Sequence, residues 1–385
     1  MKNKFYFFSI AVLALASCNK KDDVIDPTPN VVVPTVEKAV VKPEVGGPNE
    51  PNQVFIDLAT NTQKAIKRDS WDFGFYSGDD FRVILNSSLK MAAKQLETTN
   101  IDEVQTADES VAVGFQTLAK LGYVDYPAGL LKSADNTPGR GTAIAEISAT
   151  DSENKVYLIN MGSAISTIEP AAGSTNLEGE KRGWKKIRIT RSTDGKGYVI
   201  QYANLEDTTH KTITVNKNSE YNFVFLSLTT EQTIEVQPKK TAWDLCFTPL
   251  TNYTSTAQPA TDENTVTYYF ADMVLNNIHG NTSVLRITKD KDGNDFADVT
   301  KRDATYDSFN KASITTQDTQ LFTDNLVTQL MIGASWRSTF TRVINDKVFY
   351  VVKDAEGNLF KLRFLALVNE SGVRGYPVFE YELLK

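Results

Sequence analysis

An internal repeat constrains this 385-residue chain more than any other feature. Ser70-Trp-Asp-Phe-Gly-Phe75 recurs as Ala242-Trp-Asp-Leu-Cys-Phe247. Each copy follows a short apolar run of strand length, Gln53-Val-Phe-Ile-Asp-Leu58 in the first case and Asn222-Phe-Val-Phe-Leu-Ser-Leu228 in the second. Further on, Lys155-Val-Tyr-Leu-Ile-Asn160 is echoed by Lys347-Val-Phe-Tyr-Val-Val352, and Gly197–Tyr202 by Asn358–Phe364. Each half then closes in an expected hairpin, Asn204–Val215 and Val368–Leu384. Two copies of one β-rich unit, 51–215 and 216–385, is the economical reading; chance likeness among strands is the alternative. Whether the units fold separately or share one core stays open at this level.

The local patterns are those of strands. Period two places Trp71, Phe73 and Phe75 on one face. Lys186–Arg191 and Gly197–Tyr202 read as strands joined across the turn signal Thr193-Asp-Gly195. Helix-compatible spacing occurs at Val113–Leu121 and Thr323–Met331, and Leu89–Leu96 fits either helix or strand. The expected fold class is therefore all-β, with two β-rich units in tandem and few short helices.

The amino-terminal residues read as an address. Lys2 and Lys4 precede a mostly apolar run, Phe5–Leu15, of signal-peptide length and too short to span a bilayer. The run ends in Leu15-Ala16-Ser17-Cys18, the arrangement that a lipoprotein peptidase needs, so 1–17 is expected to be a signal peptide and Cys18 the lipidated residue. A lipid on Cys18 would anchor the protein to a membrane, since each buried methylene contributes roughly 0.8 kcal/mol. Residues 18–50 are expected to carry an export signal and a Pro-rich stalk. A formal charge of −7 argues against nucleic acid as a partner. With Cys18 lipidated, Cys246 has no second cysteine for a disulfide.

The order of these segments carries a resemblance. An opening strand and a turn lead to Trp-Asp-aromatic. Near the end, Lys347–Val352 is followed by the acidic-Gly turn Asp354-Ala-Glu-Gly357, by Phe360-Lys-Leu-Arg-Phe364 and by a closing hairpin. This resembles the HmuY family of haem-binding lipoproteins from Bacteroidetes, in two copies. Asn19-Lys-Lys-Asp-Asp23 is similar to the surface-export signal of such lipoproteins. The resemblance implies an all-β protein lipid-anchored in the outer membrane at the cell surface. It also implies haem as cofactor and a TonB-dependent outer-membrane transporter as partner. Family members ligate haem iron through His or Met. The stretch after Trp336, Arg337-Ser-Thr-Phe-Thr-Arg342, contains neither.

A haem site needs an apolar slot, one or two iron ligands and cationic partners for the propionates. The available donors are His210, His279, Met91, Met161, Met273, Met331 and Cys246. Of these, His279 in Asn276-Asn-Ile-His-Gly280 and Met273 in Tyr268–Val274 are the candidate iron ligands. Their bland readings are a solvated loop histidine and a core methionine. His210 lies in a polar turn, and a lone strand cysteine such as Cys246 is a small buried filler. The Trp-Asp pairs read as structural, with Trp in the core and Asp bonded to backbone in a neighbouring turn. No spacing selects a catalytic carboxylate pair, and no metalloprotease or phosphate-loop motif occurs, so an enzyme is not expected. Asp290–Asp295 lacks the twelfth-position Glu of a calcium loop, that position being Lys301. Three functions remain: capture of haem or a related iron ligand for uptake, a non-haem binding or adhesion module for glycan or protein, and an accessory of an outer-membrane uptake complex.

Overall fold

A computed structural model describes residues 33–114, 123–132, 140–261 and 263–385. The expected signal peptide, Cys18 and the Asn19–Asp23 motif lie outside these residues, as does most of Val113–Leu121. The first repeat supplies β1 (Lys38–Val41), β2 (Asn52–Asp57), β3 (Thr62–Lys67), β4 (Phe73–Tyr76), β5 (Val83–Leu85), β6 (Ala92–Gln95) and β7 (Val156–Asn160). A side hairpin follows, β8 (Ser163–Ile165) with β9 (Glu178–Lys181), and then β10 (Trp184–Arg191) and β11 (Gly197–Asn204). By sheet position β12 (Lys211–Asn216) is the counterpart of β1, so in the structure the second repeat opens there, a few residues before 216, and continues with β13 (Phe223–Ser227), β14 (Gln232–Ile234), β15 (Leu245–Ser255), β16 (Thr265–Asn276) and β17 (Ser283–Ile287). Helices α1 (Val299–Ser308) and α2 (Thr316–Asp324) and a small hairpin, β18 (Arg337–Ser338) with β19 (Val343–Ile344), come next. The chain ends with β20 (Phe349–Lys353), β21 (Leu359–Val368) and β22 (Arg374–Leu383).

Strand pairing answers the question of a shared core. Two five-stranded sheets run β12-β11-β10-β7-β6 and β1-β22-β21-β20-β17, and two four-stranded sheets run β14-β13-β4-β5 and β16-β15-β2-β3. The opening arm of each repeat therefore joins the other repeat. Arm β1–β3 pairs with β22 and β15, and arm β12–β14 pairs with β11 and β4. The apolar runs of β2 and β13 are continuous rather than alternating because both faces are covered. Val54, Ile56 and Leu58 enter the core of the second repeat with Tyr350, Phe360 and Tyr381. Leu226 and Leu228 enter that of the first with Ile159, Ile187 and Tyr198. Phe55, Phe223 and Phe225 turn the other way, into a third cluster that holds both Trp71 and Trp243. Each such burial contributes about 1.5–3 kcal/mol.

The Trp-Asp aspartates lock the exchange. Asp72 N–H donates to Leu226 O at 2.8 Å, and Leu228 N–H donates to Asp72 Oδ2 at 2.6 Å. In the other copy, Asp244 N–H donates to Ile56 O at 2.7 Å and Leu58 N–H donates to Asp244 Oδ2 at 2.8 Å. Asn86 and Asn277 hold the tryptophan carbonyls, donating to Trp71 O at 2.8 Å and Trp243 O at 2.9 Å.

Several expectations need correction. By sheet position β21 matches β10, not β11, so Asn358–Phe364 does not correspond to Gly197–Tyr202. The Lys155/Lys347 echo is slipped by one residue, because Ala92↔Asn160 in one sheet stands where Ser283↔Lys353 stands in the other. Correct register pairs Tyr157 with Tyr350 and Lys186 with Lys361. Both lysines are buried, and their ammonium groups are satisfied by backbone carbonyls, of Val104 at 2.6 Å and of Tyr306, near the end of α1, at 3.0 Å. The hairpin expected over Asn204–Val215 is present, as β11 paired with β12, but by sheet position the counterpart of the β21–β22 hairpin is β10–β11. Residues 38–50 are not stalk: β1 caps the β22 edge, and Val41 and Val45 are buried. The flanking prolines are tolerated because this is an edge. The helix expected over Thr323–Met331 lies earlier, where the capping box Thr315–Asp318 starts it at Thr316. Leu89–Leu96 is a short 3-10 turn followed by β6.

Candidate functional site

The third cluster sits where the two arms meet, and it is not filled. It borders a partly open cavity of about 110 Å³. Trp71 stacks edge-on to Phe225 at 4.7 Å, and Trp243 stacks edge-on to Phe55 at 5.1 Å, so the two repeats line it in a near-symmetric way. One wall comes from the segment Asp125–Leu130. That wall is tied to the second repeat by Gln329, whose N–H donates to Ala128 O at 2.8 Å, and by His279 Nε2, 3.0 Å from Gly129 O.

The symmetry fails in the polar residues. Gln53 accepts the Trp71 indole N–H at 2.8 Å. Strand register places Phe223 at the equivalent position opposite Trp243. The buried Trp243 Nε1 consequently has no hydrogen-bond partner; neither do Asn276 Oδ1 and Gln237 Oε1, which belong to other lining residues. Where the second repeat has Cys246, Asn276 and His279, the first has Gly74, Leu85 and Ser88. Comparing the repeats in register would have singled out these positions; hydropathy alone could not, because all lie in strands or turns of ordinary pattern.

The histidine and the thiol of the cavity are both uncharged. Burial lowers the His279 pKa, opposed by its bond to Gly129, so the imidazole is uncharged near neutral pH. Burial pushes the Cys246 thiol up, which keeps it protonated. Asp125 is raised to about 7 by burial, against the backbone N–H bonds from Ala143 and Leu85 that favour its anion. No lysine or arginine is among the described lining residues.

The two sequence candidates are not brought together on this cavity. His279 lines it, packed against Phe223 at 5.5 Å. Met273 is 1% exposed and packs within the cluster without lining the cavity, in the core role that was its bland reading. Met91 and Met161 are buried in the first repeat's core, and Met331 packs against the second's. His210 is engaged on both nitrogens, by Asp102 at 3.0 Å and Gln201 at 3.0 Å. Four other hollows of about 250–360 Å³ are lined by no His, Met or Cys.

Haem does not fit these residues as they stand. The cavity falls well below the roughly 300–1,000 Å³ of sites for drug-sized ligands, and a porphyrin is larger than most of those. Among the described residues it offers one imidazole, a protonated thiol and no cation for propionates. No group of three or more His, Cys, Asp or Glu is placed to hold a metal ion among the described residues.

Fold and site together define a class: a strand-dominated binding protein of two interlocked repeats around a partly open aromatic cavity. A family model described as HmuY protein matches residues 49–217 and again residues 219–381. The chain belongs to the HmuY family, a surface-associated family of haem-binding type. No curated protein and no solved structure matches it. No described helix is long and apolar enough to cross a membrane, which says nothing about a β-barrel.

Proposed function

We propose that this protein is a surface lipoprotein that captures a small ligand other than haem in the cavity between its exchanged arms. One observation carries the reading: the partly open cavity is lined by Trp71, Trp243, Phe55 and Phe225, yet is too small for a haem and has no cation among its described lining residues. Absorbance during haem titration of the full chain tests it. The expected outcome is a non-saturating response with no sharp reduced bands; a saturable Soret shift that is lost in His279→Ala overturns it.

Capture of haem or a related iron ligand for uptake is the second reading. The HmuY match to both repeats favours it. It requires the Asp125–Leu130 wall to move away from His279.

In either case the lipid on Cys18 holds the protein to the outer membrane at the cell surface, and a TonB-dependent transporter is the receiving partner. Cys18→Ala is expected to move the protein from the membrane to the soluble fraction. Retention in the membrane would contradict the anchor.

A further inference from the structure

The two repeats hold the cavity's outer walls differently. The β5 edge of the first repeat answers to the β16 edge of the second, with Leu85 at the position of Asn276. In the second repeat that edge is covered by main chain: Asn276 N–H donates to Gln329 O at 3.0 Å, and Val274 and Gly333 exchange bonds at 3.1 and 2.9 Å. In the first repeat a side chain takes this place. Leu85 N–H donates to Asp125 Oδ2 at 2.6 Å, and Ala143 N–H donates to Asp125 Oδ1 at 2.8 Å. Among the described residues, no main-chain bond joins Asp125–Leu130 to a strand, so one carboxylate hangs this wall on β5. Its other side rests on the second repeat through two residues. Gln329 Nε2 donates to Pro127 O at 2.9 Å and Gln329 N–H to Ala128 O at 2.8 Å, while His279 Nε2 lies 3.0 Å from Gly129 O. Gly129 permits this close approach: its φ is +82°, and a Cβ there would lie 2.7 Å from Gln329 Cδ. Segments tied by few bonds open locally, far more readily than strands that open only with the whole fold.

Building on the reading that this cavity takes a small ligand, we infer that Asp125–Leu130 is a movable strap, hung on β5 by Asp125 and latched to the second repeat by Gln329 and His279, and that a ligand enters when the latch opens. The strap is placed to control entry because Asp125, Tyr126, Pro127, Gly129 and Leu130 line one side of the space, whereas most of the remaining lining comes from strands and their turns. The chain carries its own reporter of this motion. Cys246 lines the cavity and is 3% exposed. A maleimide with a bulky substituent, too large for a cavity of about 110 Å³, reaches that thiol when the strap lifts.

The test is the rate at which Cys246 reacts with such a maleimide in the full chain at one fixed pH, read by peptide mass so that Cys18 does not interfere. Gln329→Ala removes the bond to Pro127 O and is expected to speed labelling about fivefold, the worth of one hydrogen bond. Asp125→Asn turns an amide N–H toward one of the N–H groups of Leu85 and Ala143, and is expected to speed it at least as much. In urea well below the unfolding midpoint the rate is expected to stay nearly flat, since a lifted strap exposes little surface. Phe349→Leu, a core change away from the cavity, is expected to lower stability and leave the rate unchanged. Equal rates in the wild type and both strap variants overturn the inference. So does a rate that climbs steeply with urea and rises in Phe349→Leu, which would mean that the thiol is reached only by global unfolding. Haem titrated in parallel separates the two claims. Coordinated haem overturns the small-ligand reading whether or not the strap moves, whereas a fixed strap without haem binding overturns only the strap.

Discussion

Asp72 and Asp244 show how much of this architecture rests on single side chains. Both are buried and both accept a backbone N–H from the other repeat's arm. Their other oxygens differ: Asp72 pairs with Arg182 at 2.6 Å, whereas Asp244 accepts from Thr282 Oγ at 3.1 Å. Asp244→Ala leaves Leu58 N–H buried and unpaired, at a cost of about 1–3 kcal/mol. Asp72→Ala also strips the guanidinium of Arg182 of its carboxylate, and a cost of about 3–5 kcal/mol is expected. Urea denaturation of the two variants checks the order, and an equal loss would contradict it. The structural role of these aspartates was legible in the sequence, because a carboxylate beside a strand turn is a natural acceptor for backbone. The partner was not, since nothing in a local window says that the bonded turn belongs to the other repeat. His279 and Met273 show the same divide. Their positions at a strand end and on an apolar face could be read locally, but the carbonyl that holds the imidazole comes from Gly129, far away in the chain.

At the scale of elements, the exchanged arms explain both what the sequence revealed and where it misled. Strands such as β4, β7 and β11 have clear apolar runs and were evident. The repeat itself was evident through Trp-Asp, whose chemistry is needed in both copies. Register was not: β7 and β20 are apolar over most of their length, so shifting one by a residue changes little in hydropathy. Only the pairing with β6 and β17 settles it. The supposed stalk was misread because proline content outweighed Val41 and Val45, which an edge strand buries alongside its prolines. The buried ion cluster at the arm's entry had no local signal either. There Arg374 holds the Asp272 carboxylate, and Asp272 N–H donates to Glu50 at 3.1 Å. It joins Glu50, two residues before β2, to β16 and β22.

At the scale of the whole molecule, the exchange makes two repeats into one interlocked body, and the cavity exists only where the arms cross. Function and topology are thus a single claim: without the exchange, Phe55 would not reach Trp243, nor Phe225 Trp71. The claim is tested most directly by cutting the chain once. A specific protease site placed in the exposed Glu206–Thr209 turn separates the repeats in sequence while leaving every strand whole. After cleavage under native conditions the account predicts one particle of unchanged size on gel filtration, held together by β1–β22, β2–β15, β4–β13 and β11–β12. Two folded fragments eluting separately would contradict it, because they would show each repeat keeping its own arm.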